Sequence, residues 1–158
     1  MRALVQRVSA GAVAIDGVET ARIGRGYVIL VGVGKGDTDE DARVLAGRCA
    51  ALRIMEDAHG KMNLSLGDTG GSALVVSQFT LYADTARGNR PAFTGAAAPE
   101  DAAPLYESFL VRMREILGRE RVAAGEFRAM MTVTIVNDGP VTVLMECPTH
   151  NQLRSASS

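Results

Sequence analysis

The chain has 158 residues, 47% of them hydrophobic and 22% charged, a length that favours one domain with a core burying roughly 70% of the surface of the unfolded chain. Its formal net charge of −1 excludes a generally basic, non-specific nucleic-acid binder but not a local basic patch. No apolar run approaches the roughly 18 residues of a membrane span, and Arg2, Gln6 and Arg7 interrupt any signal-peptide core, so a soluble, cytoplasmic protein is expected.

Residues 3–10 open with Leu4, Val5 and Val8 around Gln6 and Arg7 and read as a strand. Residues 12–15 alternate, and Asp16-Gly17 is a hairpin signal leading into residues 18–23. After a turn at Gly24-Arg25-Gly26, the continuously apolar run 27–31 reads as a central strand covered on both faces. Three strands joined by tight turns are expected to form an antiparallel meander. The glycines of residues 32–36 lack the Lys-Ser/Thr ending of a phosphate-binding loop, because Lys35 is followed by Gly36 and Asp37. They are read as a strand-to-helix connection.

A helix starts near Thr38, which forms a capping-box pattern with Asp41; Leu45, Cys49 and Leu52 make its inward stripe. Residues 53–56 read as a short strand, 57–60 as a turn with a solvated His59, 61–66 as another extended piece, and 68–71 as a turn. Cys49 is expected to behave as a small buried hydrophobe. Cys147 and His150 lack a second ligand pair, so no metal site is expected.

Residues 72–84 break the pattern. Leu74 to Val76 read as a buried strand, and directly after it come Ser77, Gln78 and Thr80 among Phe79, Leu81 and Tyr82. A strand chosen for burial alone would not place hydroxyls and an amide there, since each costs free energy unless it finds partners. Either these groups tie down a neighbouring loop, or the strand presents chemistry to a cleft. The polar stretch that follows holds Arg87 and Arg90 around a Gly-Asn turn, with Phe93 close by. It reads as an exposed loop, or as a grip on a phosphate backbone with a ring to stack on a base.

A second helix opens at Pro99 with acids in its first turn, carries Leu105, Phe109, Met113 and Ile116 on one face, and stops at Gly118. Residues 131–136 alternate as a strand, 137–140 turn, and 141–145 return. The whole is expected to be α+β: an antiparallel or mixed, barrel-like sheet with two main helices packed on it. Residues 1–147 form one domain in this reading, and 148–158 a flexible tail.

No Ser-His-Asp set, metal-ligand cluster or carboxylate pair is present, and a nucleophilic Ser or Thr needs a base. The remaining tools are backbone N–H groups, Ser77, Gln78, Thr80 and whatever the substrate brings. Asn137-Asp138-Gly139-Pro140-Val141-Thr142 is a hairpin turn in the simplest reading. Pro140 cannot donate a ladder hydrogen bond, however, and a Gly-Pro bond can be cis at modest cost. Such a rigid loop can recognise a small ammonium group with backbone carbonyls.

Ser77-Gln78-Phe79-Thr80-Leu81 together with Asn137-Asp138-Gly139-Pro140-Val141-Thr142 resembles the motif pair of D-aminoacyl-tRNA deacylases. Residues 1–8, 60–64 and 87–93 resemble that family too, the likeness running in order to about residue 147. One departure is Ala92, where Ser is expected, which bears on a loop hydrogen bond. The resemblance implies a homodimeric, cofactor-free hydrolase that cleaves the ester joining a D-amino acid, or glycine, to the tRNA 3′ end. It implies a cis Gly139-Pro140 bond on a loop reaching into the partner subunit's site, where its carbonyls bind the α-amino group and exclude an L side chain. Asn137, Val141 and Thr142 frame that loop. Ser77, Gln78, Phe79 and Thr80 would line the site, with the Phe79 N–H polarising the ester carbonyl. Thr80 is either the nucleophile or a positioning group for attack assisted by the ribose 2′-OH, and the missing base favours the second. Neither DNA nor membrane partners are expected. The alternatives are a non-catalytic RNA 3′-end-binding module using Arg87, Arg90 and Phe93, and a threonine-dependent D-amidohydrolase.

Overall fold

The opening strand is longer than the sequence pattern suggests. In the computed structural model, which describes residues 1–147, β1 runs unbroken over Arg2–Ile15; the expected tail at 148–158, with His150, lies outside the described residues. Asp16 and Gly17 both take positive φ (50° and 78°), the geometry of the two-residue turn that matches strand twist, and β2 follows at Val18–Ile23. β3 covers Gly26–Gly32.

The expected meander does not form. β2 pairs with residues 11–15 of β1, whereas β3 pairs antiparallel with residues 2–8 of the same strand. Fourteen residues give β1 enough edge to hold both in succession, so β2 and β3 share one edge of β1 instead of pairing with each other. β3 is buried along nearly its whole length, as its continuous apolar run requires. Its other edge takes β6 (Ser72–Ser77) in parallel, and β6 takes β7 (Val122–Ala124), also in parallel.

Parallel pairs need crossovers, and helices supply them. α1 (Asp39–Ala51) lies between β3 and β6 in sequence and has the expected Thr38–Asp41 capping box. α3 (Pro99–Leu117) lies between β6 and β7. The expected inward face of α3 is rotated: Ala102, Tyr106, Phe109, Leu110, Met113 and Leu117 are buried, while Ile116 is exposed. The reason is Tyr106, whose buried hydroxyl donates to the carbonyls of Val75 (3.0 Å) and Gly125 (3.3 Å) and so sets the face presented to the sheet. A short third helix, α2 (Leu66–Thr69), stands where extended chain and a turn were expected; Ser65 and Asp68 form its capping box. β4 (Met55–Glu56) and β5 (Met62–Leu64) make a separate two-stranded ribbon.

β8 (Thr132–Glu146) is also one strand, not a hairpin. It runs antiparallel along β1, and the expected turn is a bulge. Gln6 pairs with Thr142 and Val8 with Asn137, so residues 138–141 stand opposite Arg7 alone.

The sheet is mixed and barrel-like, with three α-helices. One core lies between sheet and helices, where Ala3, Val5, Tyr27, Ile29, Val31, Ala73 and Val75 meet Leu45, Cys49, Phe109 and Met113. The second fills the curl of the sheet with Val8, Val13, Ile23, Val28, Leu74 and Val76. The second core is wholly aliphatic, whereas the first also holds the aromatic rings of Tyr27, Tyr106 and Phe109. Among the described residues no helix is long and apolar enough to cross a membrane, and no cluster of three or more metal-ligating side chains occurs.

Candidate active site

β6 carries the first half of the site. Positions 73–76 are buried and hold the strand rigid, while Ser77 and Gln78 emerge half-buried and Phe79 and Thr80 exposed. The Gln78 N–H donates to Val31 O (2.7 Å), which ends the ladder and turns the chain into a single 3₁₀ turn, Phe79–Tyr82. N–H groups at the start of such a turn have no partner within it. The Phe79 N–H has none elsewhere among the described residues. Gln78 Nε2 donates to Thr80 Oγ1, so the Thr80 oxygen acts as an acceptor here.

The turn is bolted from behind. Tyr82 packs so closely on Gly34 that a Cβ there would lie 2.6 Å from its hydroxyl oxygen. The Arg2 guanidinium stacks 4.5 Å above the Tyr82 ring and donates to Leu81 O (2.8 Å). Burial, reinforced by the Asp37 carboxylate, pushes the Tyr82 hydroxyl far above its ordinary range and keeps it neutral. Asp37 in turn accepts from the Gly34 N–H (2.6 Å) and forms a fully buried ion pair with the Met1 ammonium (2.7 Å).

In front lies a cleft of about 650 Å³, within the range of small-ligand sites. Ser77, Gln78 and Phe79 line one side, Phe93, Ala96, Ala97 and Tyr106 another, and residues 127–131 a third. Phe79 and Phe93 meet edge to face, with centroids 5.0 Å apart. Among the described residues, no His, Asp or Glu lines the cleft. Tyr106, its hydroxyl pushed far up by burial, is no base either. Arg87 and Arg90 are exposed on the 84–95 loop, outside the cleft lining. That loop is closed by backbone bonds between Asp84 and Ala92 (2.8 and 2.9 Å), so Ala92 contributes through its main chain.

The second half is the β8 bulge. The Gly139-Pro140 peptide bond is cis. Arg7, only 4% exposed, holds the bulge: Nε donates to Asp138 O (2.9 Å), one terminal nitrogen donates to Ile54 O (2.9 Å), and the other approaches Glu56 (3.4 Å). Asn137 and Thr142 pair with β1 on either side, Thr142 also accepting from Gln6 Nε2 (3.4 Å), and Val141 packs half-buried against the core.

Within one chain the two halves do not meet. Ser77 pairs with Val31, whereas Arg7 pairs with Tyr27. Those β3 positions lie roughly 13 Å apart along the strand, with the bulge two strands to the side.

Residues 4–146 match the family model for D-Tyr-tRNA(Tyr) deacylase. The chain belongs to this family. It is 56% identical to a D-aminoacyl-tRNA deacylase of Roseiflexus castenholzii over 146 residues, 92% of each chain. It is 54% identical to the D-aminoacyl-tRNA deacylase of Anaeromyxobacter dehalogenans, covering 92% of this chain and 97% of that one. Among solved structures, the c-Myc DNA Unwinding Element Binding Protein superposes with a TM-score of 0.90 at 39% identity, over 94% of this chain and 99% of that one. A probable eukaryotic D-amino acid tRNA deacylase shares the fold, with a TM-score of 0.79 at 21% identity, over 91% and 97% of the two chains.

Sequence reasoning about this deacylase family member missed Arg7, Tyr82 and Arg128. Arg7 left a signal: it continues the buried parity of Ala3 and Val5, where a charge is out of place unless something pairs with it. Tyr82 and Arg128 left none, because contacts with Gly34 and with the cleft appear only once the loops are placed.

Proposed function

We propose that this protein hydrolyses the ester linking a D-amino acid, or glycine, to the 3′-terminal ribose of tRNA, and that it spares L-aminoacyl esters. The observation that carries this reading is the Phe79 N–H, unengaged among the described residues, at the mouth of a cleft that those residues line without an acid or base. Such a donor polarises an ester carbonyl and stabilises the oxyanion that forms on attack. With no base near Thr80, the proton acceptor comes from the substrate: the ribose 2′-OH assists attack on its own ester. Thr80, held by Gln78, positions the substrate, and Ser77 and Gln78 complete the polar wall. The base of the terminal nucleoside stacks in the cleft against Phe79 and Phe93, and Arg87 and Arg90 meet the acceptor strand.

In this reading the protein works as a homodimer in the cytoplasm, with residues 1–147 as its single deacylase domain. Each subunit's Gly139-Pro140 carbonyls enter the other's cleft, bind the α-ammonium and clash with an L side chain. Support for a dimer comes from the separation of the two halves within one chain, from the outer edge of β8, which carries no strand among the described residues, and from Leu30, Leu4 and Leu144. These three stand in register across three strands, Leu144 being 55% exposed. An uncovered edge of that length is an invitation to pair.

The deciding experiment is amino-acid release from D-tyrosyl-tRNA, L-tyrosyl-tRNA and glycyl-tRNA by the purified protein. Rapid loss of the D ester with the L ester intact is the expected result. Equal loss of D and L esters would remove the Gly139-Pro140 role. Salt-dependent binding without release would favour an RNA 3′-end-binding module, the reading suggested by the exposed Arg87 and Arg90. Hydrolysis of D-peptides without tRNA would point to the threonine amidohydrolase, which the lack of a base beside Thr80 among the described residues disfavours.

A further inference from the structure

Arg128 is the one charged residue among the described residues lining the cleft. It occupies a backbone conformation that an arginine does not choose. The Glu126–Ala129 turn is closed by the Ala129 N–H donating to Glu126 O (3.3 Å), and Arg128 sits at its third position with φ 66°. That position of a turn is the habitual place of glycine, because a Cβ there crowds the backbone. The side chain is exposed and, among the described residues, makes no hydrogen bond or ion pair. No structural contact therefore accounts for a side chain at this place. The turn itself is fixed by its flanks: Phe127 packs on Tyr106 (centroids 5.7 Å apart), and Gly125 donates to Val75 O (2.9 Å). The guanidinium is thus carried by a rigid turn on the wall facing Phe79 and Phe93.

We infer that Arg128 is a binding residue that holds the phosphodiester immediately 5′ of the terminal nucleoside. This rests on the function proposed above. A nucleoside whose ester lies at Phe79 and whose base lies against the Phe79–Phe93 pair fills the apolar cleft, and its 5′ phosphate leaves at the rim. The first anion of the RNA strand thereby meets the one cation that lines the cleft among the described residues. Guanidinium geometry suits two phosphate oxygens at once.

The test combines Arg128→Gly with D-tyrosyl-tRNA in which the last phosphodiester is replaced by a neutral methylphosphonate. Glycine suits φ 66°, so the variant is expected to fold at least as well as the parent in urea melts. With natural D-tyrosyl-tRNA, Arg128→Gly should raise KM about 10-fold and leave kcat within about twofold, the loss of one phosphate contact. The salt dependence of binding should flatten by about 0.7 in log–log slope. The methylphosphonate substrate should cost the parent the same 10-fold and cost the variant nothing further. Arg128→Lys should recover part of the affinity. An unchanged KM in Arg128→Gly, or losses that multiply in the double combination, would overturn the assignment while leaving deacylation standing. A parent protein that releases no D-tyrosine from natural substrate would instead overturn the proposed function, and the Arg128 assignment with it.

Discussion

The strand end at Ser77–Tyr82 and the bulge at 138–141 meet the same requirement by different means. Both display backbone groups, and a displayed backbone wanders unless something behind it is fixed. Behind the strand end stands an aromatic ring, Tyr82, wedged on Gly34 beneath the Arg2 guanidinium. Behind the bulge stands a buried cation, Arg7, which ties Asp138 to Ile54 and Glu56 with separate nitrogens. The ring fixes its segment by excluded volume; the guanidinium fixes its segment by directional bonds. A shape wedge tolerates loss of a hydrogen bond but not of space, and a bonded hub tolerates the reverse.

Arg7→Lys tests the bonded hub most severely. A single ammonium cannot span the same three directions, so D-tyrosyl-tRNA hydrolysis should fall about 100-fold and D-over-L preference about 10-fold, with about 2 kcal/mol lost in urea unfolding. Retained chiral preference would show that the bulge holds itself. Gly34→Ala tests the wedge: displacing the ring should lower kcat about 10-fold and cost about 1–3 kcal/mol, the range for overpacking. An unaltered kcat would mean the turn is indifferent to Tyr82. Thr80→Ala removes a side chain in front of the wedge and should reduce turnover only a few-fold; a loss beyond about 10³-fold with intact folding would make Thr80 the nucleophile.

Asp41→Asn, remote from both regions, gives the smallest effect. Burial raises the Asp41 carboxyl, but hydrogen bonds from Thr38 and Cys147 and the Met1 ammonium outweigh it, so its pKa lies below the ordinary carboxylate value. The unfolded chain then takes up the proton first, and the stabilisation is complete above about pH 4 and lost as pH falls through the lower, folded value. The variant should lose about 1 kcal/mol near neutrality, the gap should close toward pH 2, and kcat should not move. A gap that persists at pH 2 would show that shape, not charge, holds the helix start.

Much of the fold was legible because burial and turn chemistry act locally. The hairpin at Asp16-Gly17, the apolar β3, the Thr38 cap and the Gly118 stop each rest on residues within a few positions of one another. The failures have non-local causes. β1 reads as two pieces and β8 as a hairpin because their mutual pairing, across more than a hundred residues, is invisible in either segment. The face of α3 depends on where the Tyr106 hydroxyl finds carbonyls. At the candidate site, Ser77, Gln78 and Thr80 stood out as polar groups after an apolar strand. Arg7 was hidden by its distance from everything it binds.

The pairing of β1 with β8 also orders events during synthesis. β1 is the first of the described strands, yet its longest partner is β8, the last of them. Until β8 begins to emerge, that whole edge of β1 stays open, and among the described strands β2 and β3 are the neighbours available to it. Contacts of such sequence separation form slowly, and an apolar strand waiting with a bare edge is the species most exposed to joining another chain. The same long seam that unites the finished sheet makes the nascent chain depend on a strand far removed from β1 in sequence.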